Sequence, residues 1–132
     1  MAKVKLALVG AGLIGREHCA LIQKHSGAEL VGIADPSEEA RGYAMRYDAP
    51  WFSDYGEMLE KINADGVIIA VPNALHGAAG VACLDRGIPC LVEKPIADTL
   101  STANSLVKAS EASGVPVLVG HQRRHSPDIR AA

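Results

Sequence analysis

Leu6-Ala7-Leu8-Val9-Gly10-Ala11-Gly12-Leu13-Ile14-Gly15 runs from a strand-like apolar stretch, through a glycine-punctuated turn, into a helical pattern. Each glycine has its own steric reason. Gly10 permits the tight turn out of the strand, Gly12 removes a side chain where backbone must approach a pyrophosphate, and Gly15 lets the helix pack close to the sheet. The helix start, at Leu13 and Ile14, offers unpaired N–H groups and a partial positive charge to an anion. In a chain with 13 glycines the bare pattern is weak, but its position after a first strand and before a helix strengthens it. Asp35 stands 20 residues beyond Gly15, at the end of the second strand-like run. A carboxylate there accepts hydrogen bonds from the adenosine ribose and repels a 2′-phosphate. Together these features point to a dinucleotide, NAD before NADP, with Arg41 one helical turn further on keeping NADP open. The bland alternative is a glycine-rich turn that binds nothing, with Asp35 only capping the next helix.

Outward from this turn, apolar runs of strand length alternate with longer helical segments. The strands read as Lys5–Val9, Glu29–Ala34, Gly66–Val71, Cys90–Glu93 and Val117–Gly120, with a short one near Pro50–Phe52. Ile, Val, Leu and Ala fill them without polar alternation, as in parallel strands covered on both faces. The helices read as Leu13–His25, Ser37–Tyr47, Tyr55–Lys61, Ala74–Arg86 and Leu100–Ser113. Ser37 or Asp35 caps the second and Asp98 or Thr99 precedes the last, while Gly87 and Gly114 supply stops. Strict alternation of strand and helix requires crossover connections. The fold class is α/β, a doubly wound parallel sheet of the Rossmann type in a single domain.

The bulk composition excludes several functions. A net charge of −2 without a basic stripe, and 4% aromatic residues, argue against a nucleic-acid partner. The apolar runs are too short to span a membrane, and no separate signal-peptide core precedes the first strand. The expected compartment is the cytoplasm. Cys19, Cys83 and Cys90 are scattered without metal or redox spacing and read as buried reduced thiols. No metal site is expected.

In a doubly wound sheet the ligand lies across the carboxyl ends of the strands, and three more polar clusters fall there. Val71-Pro72-Asn73-Ala74-Leu75-His76 follows the fourth strand, where Pro72 stops the strand, Asn73 can cap the next helix and His76 projects from its first turn. Glu93-Lys94-Pro95 follows the fifth, and Gly120-His121-Gln122-Arg123-Arg124 the sixth. With the glycine turn and Ala34-Asp35, these clusters resemble the Gfo/Idh/MocA oxidoreductases over essentially the whole chain. Glu93-Lys94-Pro95 is the most specific part.

The resemblance implies a role for each matching position. Lys94 would sit near the nicotinamide ribose and the substrate hydroxyl as the catalytic residue. Glu93 would support the ribose side of the site. Pro95 would fix the turn through a cis peptide. Asn73, His76 and Pro72 would line the cofactor groove, and Arg123 would lie near the nicotinamide end. Gln122 departs from the asparagine often found there.

The implied reaction is hydride transfer between NAD and a secondary alcohol of a sugar, inositol or related polyol. Family members are about twice this length or more. Residues 1–120 read as the dinucleotide-binding domain, and 121–132 as the start of a connection to a C-terminal substrate domain. The expectation is therefore a truncated form that binds NAD, turns over little and forms a homo-oligomer through an apolar face. The competing reading is a stand-alone NAD-binding module or regulatory subunit without catalysis.

Overall fold

The computed structural model describes residues 2–120. Strand β1 (Val4–Val9) leads into helix α1 (Leu13–Lys24), followed by β2 (Ala28–Ala34), α2 (Glu38–Arg46), β3 (Trp51–Phe52) and α3 (Tyr55–Lys61). Then come β4 (Gly66–Ile69), α4 (His76–Asp85), β5 (Cys90–Glu93), α5 (Leu100–Ser113) and β6 (Val117–Gly120). All neighbouring strands are parallel, in the order β3-β2-β1-β4-β5-β6. The order reverses between β1 and β4, so the crevice for a ligand opens at the carboxyl ends of those strands.

Both sheet faces are covered near the centre, which explains the unbroken apolar runs. Ala7, Leu8 and Val9 are successive residues, and none exceeds 2% exposure. On one face Leu8, Ile33 and Ile68 pack against Cys19 and Ile22 of α1 and Ala40 and Ala44 of α2. On the other, Ala7, Val9, Val67, Ile69 and Val92 pack against α3, α4 and α5 through Met58, Cys83, Leu84 and Leu106.

The helix ends follow local chemistry. Ser37 caps α2 by accepting from Ala40 N–H, Asp54 caps α3, and Thr99 caps α5. Gly114 closes α5 in the left-handed conformation at φ 72°. Of the two cap candidates read for α2, Ser37 does the capping; Asp35 instead accepts from Ser37 N–H.

Two expectations need correction. The fourth strand ends at Ile69, two residues before the expected Val71, and the next α-helix starts at His76, not Ala74. Between them Pro72 brings a φ of −55° into a short 3₁₀ turn, Asn73–Leu75, which has no side-chain cap. Asn73 is therefore the first residue of that turn and not a helix cap. The physical reason is competition for the backbone: Pro72 has no N–H, and the Val71 carbonyl is taken by the His76 ring at 2.8 Å.

All three cysteines are free and buried. Burial pushes the Cys19 thiol up to about 11, with nearby Arg16 pulling weakly the other way, so it stays a protonated thiol at neutral pH. Among the described residues no helix is long and apolar enough to cross a membrane.

Candidate functional site

The carboxyl ends of β1, β2, β3 and β4 border a cleft of about 680 Å³. Its walls include Gly10, Gly12, Leu13, Ile14, Asp35 and Pro72, six of the residues singled out in the sequence. Leu13 and Leu75, 78% and 51% exposed, put apolar surface at its edge. A smaller recess of about 300 Å³ shares Ile14, Ala70 and Val71 with it and adds Asn73, His76, Glu93 and Lys94. The two form one groove crossing the switch point, with Asp35 at one end and Lys94 at the other.

The three glycines of the turn differ in what surrounds them. Gly10 has φ +94°, and a Cβ there would lie 2.6 Å from the Ala70 carbonyl oxygen. A Cβ on Gly15 would lie 2.0 Å from the Gly10 carbonyl oxygen. Both glycines are demanded by the protein's own backbone. Gly12 is not: a Cβ there meets nothing within 4 Å. The bare backbone at Gly12 faces open space at the N-cap of α1, and no acidic side chain stands in that helix's first turn. Such an end attracts an anion through its unpaired N–H groups.

Asp35 binds the end of β2 to this turn. One carboxylate oxygen accepts from Ala11 N–H at 2.8 Å and the other from Ser37 N–H at 2.8 Å. Burial pushes the Asp35 carboxyl up, but those two N–H donors, the Ser37 hydroxyl and the Arg16 charge outweigh it, so the net shift is downward. The carboxylate is thus ionised, and each oxygen keeps a lone pair for a further donor such as a sugar hydroxyl. Arg16 steadies the same corner: its Nε donates to the Ala11 carbonyl at 3.2 Å, and its guanidinium lies 4.7 Å from the centre of the Tyr43 ring.

At the other end, His76 is 1% exposed. Its Nδ1 is 2.7 Å from the Pro95 carbonyl oxygen and its Nε2 2.8 Å from that of Val71. A neutral ring donates to one of these acceptors, and a protonated ring to both. His76 therefore ties the loop after β4 to the loop after β5, leaving ring carbons for the groove wall. The Lys94–Pro95 peptide is cis, as the resemblance implied. Lys94 is exposed on the recess, whereas Glu93 turns inward at 8% exposure. Glu93 Oε1 lies 2.5 Å from His18 Nε2. Arg123 lies outside the described residues.

The sequence reading missed His18 and Arg16 on α1, and Ser53, Asp54 and Tyr55 beside the cleft. The last three follow β3 at the carboxyl edge of the sheet, so the rule that located Asn73 and Lys94 would have reached them. His18 carried a subtler signal: it lies one turn along α1 from Ile14 and Gly15, on the face turned to the sheet.

Residues 4–121 match Gfo/Idh/MocA, described as an oxidoreductase family with an NAD-binding Rossmann fold. The chain is 33% identical over 126 residues to 4-carboxy-2-hydroxymuconate-6-semialdehyde dehydrogenase of a Sphingobium species, covering 94% of this chain and 40% of that protein. It is 34% identical over 130 residues to inositol 2-dehydrogenase 4 of Saccharopolyspora erythraea, covering 96% and 38%. The crystal structure of the WlbA dehydrogenase from Bordetella pertussis, in complex with NADH and UDP-GlcNAcA, superposes with a TM-score of 0.93 at 32% identity, covering 98% of this chain and 40% of that one. The chain thus spans about two-fifths of the length of these relatives.

Proposed function

Because this chain belongs to the Gfo/Idh/MocA oxidoreductase family, with its NAD-binding Rossmann fold, we propose that it is the cofactor-binding part of an NAD-dependent dehydrogenase. Its substrate class is a sugar, inositol or related polyol, oxidised at a secondary alcohol. The observation that carries this reading is the groove, in which an open, bare backbone at Gly12 and an ionised Asp35 flank the α1 N-terminus.

The residues present fit a dinucleotide. Gly12 and the N–H groups of α1 would hold the pyrophosphate, with no clash to relieve. Asp35 would accept from the adenosine ribose hydroxyls, and its charge favours NAD over NADP. Pro72, Asn73 and His76 would wall the groove toward Glu93-Lys94-Pro95. When bound, the nicotinamide supplies or accepts a hydride. Lys94, exposed on the recess, would hold the substrate hydroxyl and assist its proton, which fixes the reacting carbon against the cofactor. Glu93 stands behind it as a buried support.

Most of the relatives' length lies outside the matched region, and a closed, dry substrate pocket needs more walls than this groove has. The isolated chain is accordingly expected to bind NAD and to turn over little. Calorimetric titration should show NAD binding more tightly than NADP. A folded sample that gives neither heat nor a thermal shift with either nucleotide at millimolar concentration overturns the proposal.

A further inference from the structure

Glu93 ends β5 with its carboxylate enclosed by neighbouring elements. On one side is His18 of α1, with Nε2 2.5 Å from Oε1 and the two side chains only 14% and 10% exposed. On the other is Gly120, the partner of Glu93 in the β5–β6 register. A Cβ on Gly120 would sit 3.1 Å from the carboxylate carbon and from both of its oxygens. The slot is therefore fitted to a carboxylate between an imidazole and a bare backbone. A carboxylate this buried is costly unless a donor meets it, and the His18 N–H is such a donor.

The pair also ties the Lys94 end of the groove to the helix that carries the phosphate-binding turn. His18 belongs to α1, whose N-terminus carries Gly12, Leu13 and Ile14. Glu93 is followed at once by Lys94, which faces Ile14 across the recess. Resting on the function proposed above, we infer that His18 is a positioning residue. By holding the Glu93 carboxylate it fixes the Lys94 loop relative to the phosphate-binding helix, and so sets where the nicotinamide end of the cofactor can lie. It acts on that end alone, because the Asp35 end is built by separate bonds from Ala11 and Ser37.

The test compares NADH with ADP-ribose, which lacks the nicotinamide, on the full chain by calorimetry and by nicotinamide fluorescence. The variant His18→Leu should weaken NADH by about tenfold, the scale of one lost hydrogen bond to a charged group. ADP-ribose affinity should stay within about twofold. His18→Gln, which keeps a donor toward Glu93, should restore most of the loss. Gly120→Ala presses on the same carboxylate from β6 and should reproduce the selective loss; it carries the test with His18→Gln if His18→Leu does not fold. Equal weakening of both ligands, no weakening of either, or no recovery in His18→Gln overturns the inference. If the unmodified chain binds neither ligand, the proposed function itself has failed, which is a different result.

Discussion

Adding one methyl group separates the two purposes that glycine serves in the turn. At Gly15 it would meet the Gly10 carbonyl oxygen at 2.0 Å, a backbone atom that cannot swing aside. Gly15→Ala should therefore destabilise the fold by about 1–3 kcal/mol, the usual scale of forced overpacking, seen as a lowered denaturation midpoint. At Gly12 the methyl meets nothing and φ is −77°, which alanine adopts freely. Alanine is a poorer N-cap than glycine but loses less chain entropy, so stability should change by less than about 1 kcal/mol. NAD affinity should nonetheless fall at least about tenfold, since the methyl would occupy the place proposed above for the phosphates. A variant that melts normally and binds normally would show that the open space at Gly12 has no ligand to receive. Asp35 adds a pH dependence at the same scale. Its carboxyl lies below the ordinary 3.8 in the folded chain, so its contribution to stability is complete above that value. The contribution is lost as pH falls through the lowered folded value. Asp35→Asn should flatten this acid-side slope, measured as urea midpoint against pH, and lower the midpoint near neutrality, where the carboxylate's contribution is complete. Gly12, Gly15 and Asp35 were legible because their reasons are local to the chain. The bond between His18 and Glu93, 75 residues apart in sequence, was not, because only the folded sheet brings α1 against β5.

At the scale of elements, α4 and α5 show how the covering of the sheet is built. Gly80 of α4 faces Leu106 of α5, so closely that a Cβ on the glycine would lie 2.5 Å from a leucine methyl. Gly77 receives Thr102 in the same way. Leu106 is fully buried by this contact. Leu106→Ala should cost about 2–5 kcal/mol, the range for deleting a buried leucine whose cavity cannot collapse. The groove lies at another edge of the sheet, so NAD affinity measured below the melting transition should not change. Among the described residues, the five α-helices and six strands were readable from apolar runs and stop signals, and their order followed. The misplaced boundaries cluster at residues 70–76, where a tertiary contact decides. His76 takes the Val71 carbonyl, and local capping signals at Asn73 have no counterpart for that bond.

For the whole molecule the decisive asymmetry is between the sheet's two halves. In the parallel register Leu8, Ile68, Leu91 and Leu118 lie side by side across β1, β4, β5 and β6, on the face that α1 and α2 cover. Leu8 is fully buried and Ile68 is 7% exposed, whereas Leu118, on the edge strand, is 63% exposed. Beside this row Val4, Leu6, Leu21 and Ile68 line a shallow apolar recess of about 380 Å³ along α1. Among the described residues the helices after β4 all pack on the opposite face. Among the described residues this half of the sheet therefore presents Leu118 to water on the edge strand β6, a combination that favours pairing with a second copy. The chain should self-associate as its concentration rises. Leu118→Lys places a charge at the exposed outer end of that row, on the edge strand, and removes little packing because the side chain is already mostly exposed. It should shift the chain toward monomer in sedimentation velocity with a folding stability within about 0.5 kcal/mol of the parent, the usual scale of surface substitutions. NAD binding should be untouched, since the groove opens at the strands' carboxyl ends and not on this face. A parent chain that stays monomeric at high concentration, or a Leu118→Lys chain that associates equally well, would mean that these leucines do not drive association.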